Sequence, residues 1–237
     1  DVTRAADVAF LISTAGSSDL TGKACSPSSA LWTWDTYALA NGTGRAMTQE
    51  GGKSWFFITA DYTFGHALER DTSEAVRSLG GEVVGAVRHP RETTDFSSYL
   101  LQAQASGADV IALANSSGDT MTAMKQAGEY GITAGGQKLA GLLLFLTDVD
   151  GVGLETAQGL TLTTGFYWDF DDQTRAWSTR FGEQMGGRMP TMVQAGVYSA
   201  VLNYLKAAEA AKTVGGTAVM SELRTMKIDD MFARNAY

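Results

Sequence analysis

Hydrophobic and polar positions follow two alternating periods through the middle of the chain, from Ser54 to Gly131. Three short apolar runs, each followed by helical periodicity, lie at residues 54–59, 82–87 and 108–114. Nearly continuous apolar strands that alternate with helices are typical of a parallel sheet covered on both faces. Because ligands bind beyond the carboxyl ends of such strands, the turns 60–64 and 115–118 are candidate binding positions.

The same alternation extends towards both ends of the chain. The further predicted strands are 7–13, 138–143 and 159–164, and the predicted helices are 64–79, 94–106, 119–130, 173–212 with interruptions, and 221–226. A helix capped by Asp35 is predicted to start at Thr36. The strand at 7–13 has no predicted partner, so its sheet neighbours are expected to lie outside the chain.

The composition fits a globular protein of 237 residues with a substantial core, since 44% of the residues are hydrophobic and 19% are charged. The net charge of −8 argues against nucleic acid as a partner. The longest apolar stretch, 139–146, is too short to span a membrane, so no membrane-spanning segment is expected. No charged segment followed by an apolar run opens the chain, so it is expected to be either a cytoplasmic protein or a mature form.

The motifs that would indicate an enzyme or a cofactor are weak. The sequence Gly52-Lys53-Ser54 suggests a P-loop, but it precedes a strand, whereas a P-loop follows one. Met47 also stands where a P-loop has its first glycine. Ser116 and Ser117 end a predicted strand, but no nucleophile elbow surrounds them, so a catalytic triad could form only by tertiary contact. We therefore expect no enzymatic activity and no cofactor.

The titratable residues give little support for a metal site. The chain has one cysteine, Cys25, which cannot form an internal disulfide, and two histidines, which disfavour a histidine-rich metal site. Asp169, Asp171 and Asp172 form an acidic loop, which solvent exposure explains better than metal binding. His66 lies in the first turn of its predicted helix and is expected to be solvated or capping, with ligand contact as the alternative.

Two small, hydroxyl-bearing turns remain as the candidate site. Residues 15–18 and 115–118 end predicted strands, and they can present backbone N–H groups and hydroxyls to an anion. Nearby aromatic residues in the predicted topology are Tyr62, Phe64, Tyr167 and Trp168. Apolar walls with a few convergent donors are the usual form of a small-molecule site, so the residues predict a binding protein.

Three segments resemble, in their order and spacing, the type I periplasmic solute-binding proteins of ABC importers. These segments are 12–21, 58–65 and 107–111, and the likeness runs over essentially the whole chain. Within that family, the chain is most similar to the branched-chain amino-acid-binding branch. The resemblance implies an α/β fold of two Rossmann-like lobes with parallel sheets, joined by a hinge, with the ligand in the cleft between them. It also implies a periplasmic location and an ABC transporter membrane permease as partner.

Against that family, the chain is expected to be a fragment that lacks the first part of lobe one. Residues 1–51 would be a partial lobe one, with a strand, the ligand loop and a hinge helix. Residues 52–168 would be a nearly complete lobe two. Residues 169–237 would return to lobe one as helices, with a truncated final crossover.

The resemblance also implies which residues contact the ligand. Ala15, Gly16 and Ser17 would hold a carboxylate with backbone amides and a hydroxyl. Phe64 stands where many relatives have tyrosine, and the next strand-end turn, which often carries a tyrosine, reads 115–117 here. The full predicted set of ligand contacts is Ala15, Gly16, Ser17, Tyr62, Phe64, Asn115, Ser116, Ser117, Leu143 and Trp168.

One position departs from the family pattern. Amino-acid binders place an acidic residue after the fourth lobe-two strand to pair with the ligand ammonium, and the matching position is about Leu143. No carboxylate lies between Lys138 and Thr147. A buried ammonium group without a partner is strongly destabilising. We therefore expect a small carboxylate with an aromatic or branched aliphatic body, rather than an α-amino acid.

Two other functions remain open. The same fold could be the ligand-binding domain of a sensor, which a transmembrane helix or an output domain in the full gene would indicate. An α/β hydrolase is the least favoured alternative, because it needs a catalytic pair such as Ser117 and His66.

Overall fold

The computed structural model describes residues 2–236 and divides into two compact units. Unit 1 comprises the chain up to Asp35 and from Gly165 onward, and unit 2 comprises Thr36–Thr164. The sequence predicts boundaries at 51/52 and 168/169 instead. The first boundary falls earlier because the helical segment from Thr36 packs within unit 2, where the Thr36 hydroxyl donates to the buried Asp71 carboxylate at 2.6 Å.

The strands form one small parallel sheet in unit 1 and one larger parallel sheet in unit 2. Within residues 2–236 the strands are β1 (Phe10–Ile12), β2 (Ser29–Leu31), β3 (Ser54–Ala60), β4 (Glu82–His89), β5 (Val110–Ala114) and β6 (Lys138–Gly141). In unit 1, β1 pairs with β2. In unit 2 the strand order is β4-β3-β5-β6, and all pairs are parallel. The predicted α/β fold with parallel sheets is confirmed.

The helices account for most of the remaining described chain. The α-helices are α1 (Val2–Ala5), α2 (Thr36–Leu39), α3 (Arg45–Gln49), α4 (Thr63–Ser78), α5 (Ser97–Ala105), α6 (Ser117–Glu129), α7 (Leu146–Val152), α8 (Asp172–Gln184), α9 (Met192–Ala211) and α10 (Gly216–Thr225). A π-helical segment, Ala40–Gly44, joins α2 to α3, and a 3₁₀ turn lies at Ser18–Leu20. Within residues 2–236, no helix combines the length and apolar character needed to cross a membrane.

The core of unit 2 forms on both faces of its sheet. Along β3, Phe56 and Ile58 pack with β5 residues and helices α5 and α6, whereas Trp55 and Phe57 face the opposite side. All four side chains are buried, which explains why β3 is a continuous apolar run. Crossovers between parallel strands are right-handed. The crossover from β3 to β4 runs opposite to those from β4 to β5 and β5 to β6, so α4 covers one face and α5 and α6 cover the other.

Several predicted elements need correction. The expectation that the first strand lacks a partner in the chain is wrong, because Leu11 pairs with Ala30 of β2. β2 spans three residues and is too short to show alternation. The segment 159–164 makes a single bridge, between Thr161 and Ala140, instead of a strand. Helix α7 is absent from the sequence prediction.

Some helix boundaries shift because carboxylates accept hydrogen bonds from the first backbone N–H groups of a helix. Helix α5 begins at Ser97 instead of residue 94, since the Asp95 carboxylate accepts the Ser97 N–H at 2.9 Å. Helix α10 begins at Gly216 instead of residue 221. There the Asp7 carboxylate accepts the Thr217 N–H at 2.8 Å, which ties the two segments of unit 1 together.

A buried carboxylate organises the end of unit 1. Asp230 is 7% exposed, and its oxygens accept hydrogen bonds from the Ser199 hydroxyl at 2.7 Å and the Asn203 amide at 2.8 Å, both on α9. The backbone N–H groups of Phe232 and Ala233 donate to its other oxygen at 2.8 and 2.9 Å. This carboxylate therefore fixes the segment after α10 onto α9.

Candidate functional site

The turn after β1 in unit 1 is shaped by a glycine. Gly16 is buried, and a Cβ atom built on it would lie 1.9 Å from the Trp34 ring, so no larger residue fits without a shift. Ser17 caps the following 3₁₀ turn, where its hydroxyl accepts the Asp19 N–H at 3.3 Å. The hydroxyl keeps its own hydrogen for donation, and Ala15 beside it is exposed. This turn has donors that an anion could accept, and its contact with a ligand stays a prediction.

The turn after β3 in unit 2 carries the aromatic pair of the predicted site. Tyr62 has extended backbone before α4, and its ring centroid lies 6.0 Å from that of Phe64. A Cβ atom on Gly65 would lie 2.1 Å from the Ala60 carbonyl oxygen, so glycine allows α4 to start tight against β3. His66 is exposed and pairs with Asp61 at 2.8 Å. The expectation of a solvated histidine therefore agrees with its surroundings.

A buried polar network lies beneath the turns after β4 and β5. The Asn115 amide donates to His89 Nε2 at 3.1 Å, while its carbonyl oxygen accepts the Thr120 hydroxyl at 2.8 Å. His89 Nδ1 donates to the Pro90 carbonyl at 2.7 Å. Burial lowers the pKa of His89, which favours this neutral form. Asn115 and His89 are both 0% exposed, so the Asn115 side chain positions the two turns and faces away from solvent.

The turns of unit 2 surround a crevice of about 550 Å³ at the carboxyl ends of β3, β4 and β5. Its lining consists of Tyr62, Arg91, Glu92, Thr93, Thr94, Ser116, Ser117, Gly118, Asp119 and Thr122. Strands β3 and β5 are neighbours, and the helices that follow them cover opposite faces of the sheet. Such a topological switch point is where ligands bind in open parallel sheets. The crevice therefore occupies the position that the sheet itself predicts for a ligand.

Ser117 has an unusual backbone within this crevice. Its φ is 51°, in the left-handed region that non-glycine residues rarely adopt, and its side chain is exposed at the start of α6. Ser116 before it is extended and half-buried. The two hydroxyls and the N-terminal amides of α6 thus face the crevice side of the sheet edge.

Arg91 is one of several crevice residues that the sequence analysis missed, and Glu92 and Asp119 are among the others. Its guanidinium carbon lies 5.3 Å from the centroid of the Tyr62 ring, within the range of a cation–π interaction. Arg91 follows β4 by two residues, so it lies at the same edge as the two predicted turns. The strand order makes β4 the neighbour of β3, and that order is not written in the residue pattern.

The chain after β6 is apolar and buried. Leu142, Leu143 and Leu144 are at most 4% exposed. The first carboxylate that follows is Asp148, which caps α7 by accepting the Phe145 N–H at 3.0 Å. Burial raises the pKa of Asp148. The segment from β6 to Thr147 therefore contains no acidic side chain.

The acidic side chains of the loop that carries Trp168 in unit 1 are paired with two arginines. The Tyr167 and Trp168 ring centroids are 5.8 Å apart, and Trp168 is half-buried. Arg175 pairs with Asp169 at 2.9 Å and with Asp172 at 2.6 Å. Asp171 pairs with Arg234, which holds the pKa of that carboxyl far below its usual range. Among residues 2–236, no group of three or more His, Cys, Asp or Glu side chains is arranged to hold a metal.

The structure thus gathers only part of the predicted contact set. Tyr62, Ser116 and Ser117 line one crevice, and Phe64 lies beside Tyr62. Asn115 lies below the crevice in the buried network, and Leu143 is buried beyond β6 without lining it. The remaining predicted contacts belong to unit 1, namely Ala15, Gly16, Ser17 and Trp168.

Comparison with known proteins identifies the family to which this chain belongs. The profile of the periplasmic binding protein family matches residues 1–237, and the chain belongs to that family. A periplasmic binding protein from Burkholderia mallei is 48% identical, with a TM-score of 0.95 over 98% of this chain. A branched-chain amino acid ABC transporter periplasmic ligand-binding protein from Burkholderia xenovorans LB400 is 37% identical, with a TM-score of 0.87 over 99% of this chain.

The relatives are longer than this chain. It spans 61% and 62% of the two Burkholderia structures. A Leu/Ile/Val-binding protein homolog 6 from Brucella suis is 30% identical over 164 residues, which are 68% of this chain and 41% of that protein. The family is one of binding proteins, in agreement with the expectation that the chain performs no chemistry.

Proposed function

We propose that the protein containing this chain is the extracytoplasmic solute-binding component of an ABC importer. It captures a small carboxylate with an aromatic or branched aliphatic body and delivers it to a membrane permease, with a periplasmic location. Family membership and the switch-point crevice in unit 2 support this proposal.

The proposed contacts divide by chemistry. Ala15, Gly16 and Ser17 hold the ligand carboxylate with backbone amides and one hydroxyl. The apolar body lies against the remaining predicted contacts, which are Tyr62, Phe64, Leu143 and Trp168. Ser116 and Ser117 supply polar contacts, while Asn115 positions their turn. The assignment of these residues to one ligand is part of the proposal.

One observation carries the proposed ligand class, namely the buried leucine run after β6. Leu143 is 4% exposed, and its neighbours Leu142 and Leu144 are at most 1% exposed. An α-ammonium group against this run would lose its water without gaining a charge partner. The Asp148 carboxylate already accepts the Phe145 N–H, and burial disfavours its charged form. The site therefore favours an acid that has no α-amino group.

Branched-chain amino acids are the second candidate. The name of the 37% identical relative from Burkholderia xenovorans favours them. For this candidate to hold, a carboxylate of the chain would have to approach the ligand ammonium.

Two matched ligand pairs separate the two candidates. 4-Methylpentanoate is leucine without its amino group, and 3-phenylpropanoate is phenylalanine without its amino group. Isothermal titration of the full-length protein is expected to show the acids binding at least about tenfold more tightly than the amino acids. Tighter binding of leucine would contradict the proposed ligand class and favour the second candidate.

A substitution tests the same argument from the side of the protein. Leu143→Glu supplies the missing carboxylate, so it is expected to shift the preference towards leucine. Leu101→Glu is the control for the added charge at a site away from the proposed contacts, since Leu101 is 50% exposed on α5. The thermal midpoint of each variant without ligand shows whether a change in binding reflects lost folding.

A further inference from the structure

The crevice of unit 2 contains both hydrogen-bond donors and acceptors, with more negative than positive charge. Its lining includes one cation, Arg91, and two carboxylates, Glu92 and Asp119. The hydroxyls of Ser116 and Ser117 add groups that donate and accept. The Tyr62 ring forms an aromatic wall against the Arg91 guanidinium. The lining therefore suits a neutral polar group better than an anion or an apolar one.

The loop that carries Arg91 is fixed by its own hydrogen bonds. Glu92 has a φ of 62°, and its N–H donates to Asp119 Oδ2 at 3.2 Å. The Thr93 hydroxyl donates to the Pro90 carbonyl at 2.7 Å. Arg91 forms no ion pair with another side chain of residues 2–236, so its five N–H donors are not committed to a carboxylate.

The buried network of His89, Asn115 and Thr120 connects the two turns that line the crevice. The buried Asn115 amide links His89, at the end of β4, to the turn after β5. Thr120 of α6 completes this link through the Asn115 carbonyl oxygen at 2.8 Å. Arg91 and Ser116 thus follow strand ends that are joined by a fully buried network, which limits their relative movement.

We propose that this crevice is a subsite that recognises a neutral hydroxyl group on the body of the ligand. The hydroxyl donates to the carboxylate of Asp119 or Glu92 and accepts from the Arg91 guanidinium, while the ring that carries it packs on Tyr62. A second carboxylate on the ligand would meet a lining whose charges sum to a negative value, and it would bind more weakly. The inference rests on the proposed function, and it narrows the ligand class to hydroxylated aromatic acids.

A ligand series measures this preference directly. The probes are benzoate and 3-phenylpropanoate, each unsubstituted, with a para-hydroxyl and with a para-carboxylate. In the full-length protein, the para-hydroxyl is expected to tighten binding about tenfold in at least one of the two series, because a site built to bond a hydroxyl discriminates against its absence. The para-carboxylate is expected to bind no better than the unsubstituted acid.

Two variants locate the preference in the crevice. Arg91→Met keeps the aliphatic stem and removes the donors, and Glu92→Gln removes one charge. Arg91→Met is expected to reduce the hydroxyl preference, which is the ratio of the affinities for the hydroxylated and the unsubstituted acid, to about twofold or less. Glu92→Gln is expected to improve binding of the para-carboxylate. Arg77→Met is the matched control, since Arg77 is exposed in the last turn of α4, and it should leave the preference intact.

The outcomes separate this inference from the proposed function. If the unsubstituted acids bind but the hydroxylated ones bind no more tightly, the subsite is wrong and the proposed function stands. An equal loss of hydroxyl preference in Arg77→Met and Arg91→Met would also overturn the subsite. If none of the acids binds while leucine does, both proposals are wrong.

Discussion

The two units support their candidate turns in different ways. In unit 2, β3 is buried from Trp55 to Ala60 and β5 along its whole length, so the turns after them stand on a continuous core. In unit 1, β1 and β2 have three residues each, and Ile12 is their buried position. The turn at 15–17 therefore depends on packing from outside its sheet.

This difference shows that similar strand-end turns can be stabilised by different kinds of interaction. Unit 2 gains its stability from apolar burial across a four-stranded sheet. Unit 1 relies on an apolar cluster between its small sheet and helices α9 and α10, together with the buried carboxylate of Asp230. Substitutions that remove one of these supports should reveal the contrast.

Phe57→Ala is expected to have the largest effect. Phe57 is 0% exposed in the centre of β3, and truncating a buried phenylalanine costs about 3–5 kcal/mol of unfolding free energy. Urea denaturation measures this change. Val84→Ala is the control, since Val84 is 45% exposed on the edge strand β4 and should cost less than about 0.5 kcal/mol. Similar losses in both variants would contradict a core centred on β3.

Asp230→Ala is expected to have the second-largest effect and to act on unit 1. The change leaves the donors of Ser199 and Asn203 buried without their acceptor, at a cost of about 2–4 kcal/mol. Hydrogen exchange should show lost protection in α9 and in the segment after α10. Asp229→Ala, at the exposed neighbouring position, should leave that protection unchanged. If hydrogen exchange in Asp230→Ala increased first in β3 and β5, the proposed difference between the two units would be wrong.

Acidification is expected to produce the smallest effect and to act through His89 in unit 2. Because burial lowers the pKa of His89 in the folded state, the unfolded chain takes up more protons below pH ~6.5. The stability from neutral His89 is therefore complete above that pH and decreases as the pH falls through it. Denaturation at pH 7.5 and pH 5 should show this slope in the wild type and in His66→Asn. His89→Asn should lose it, and an unchanged slope in that variant would assign it to other groups.

The sequence predicted the elements whose pattern is long. Strands β3 to β6 and helices α4, α6, α8 and α9 lie where the periodicity places them. β2 was not predicted because three residues are too few to establish a period. α7 was not predicted because its start depends on the hydrogen bond from the Phe145 N–H to the Asp148 side chain. Both depend on contacts that a window of hydrophobicity does not contain.

The sequence allowed the turns that line the crevice to be predicted, but not all of the side chains that line it. Tyr62, Ser116 and Ser117 line one crevice because strands end where their apolar runs end. Arg91 was missed because its place beside Tyr62 depends on strand order. The inward orientation of Asn115 was missed for a similar reason, since its partner His89 lies 26 residues earlier in the chain.

The division of the chain between the units also sets an order of assembly. Unit 2 is one continuous segment, whereas unit 1 is built from two segments that flank it. During synthesis, every residue of the larger sheet has been made before the second segment of unit 1 begins at Gly165. The first segment meets its partners only later, since Asp7 cannot cap α10 until Thr217 exists. Closing so long an intervening loop carries an entropic cost, which falls when that loop has already become a compact body.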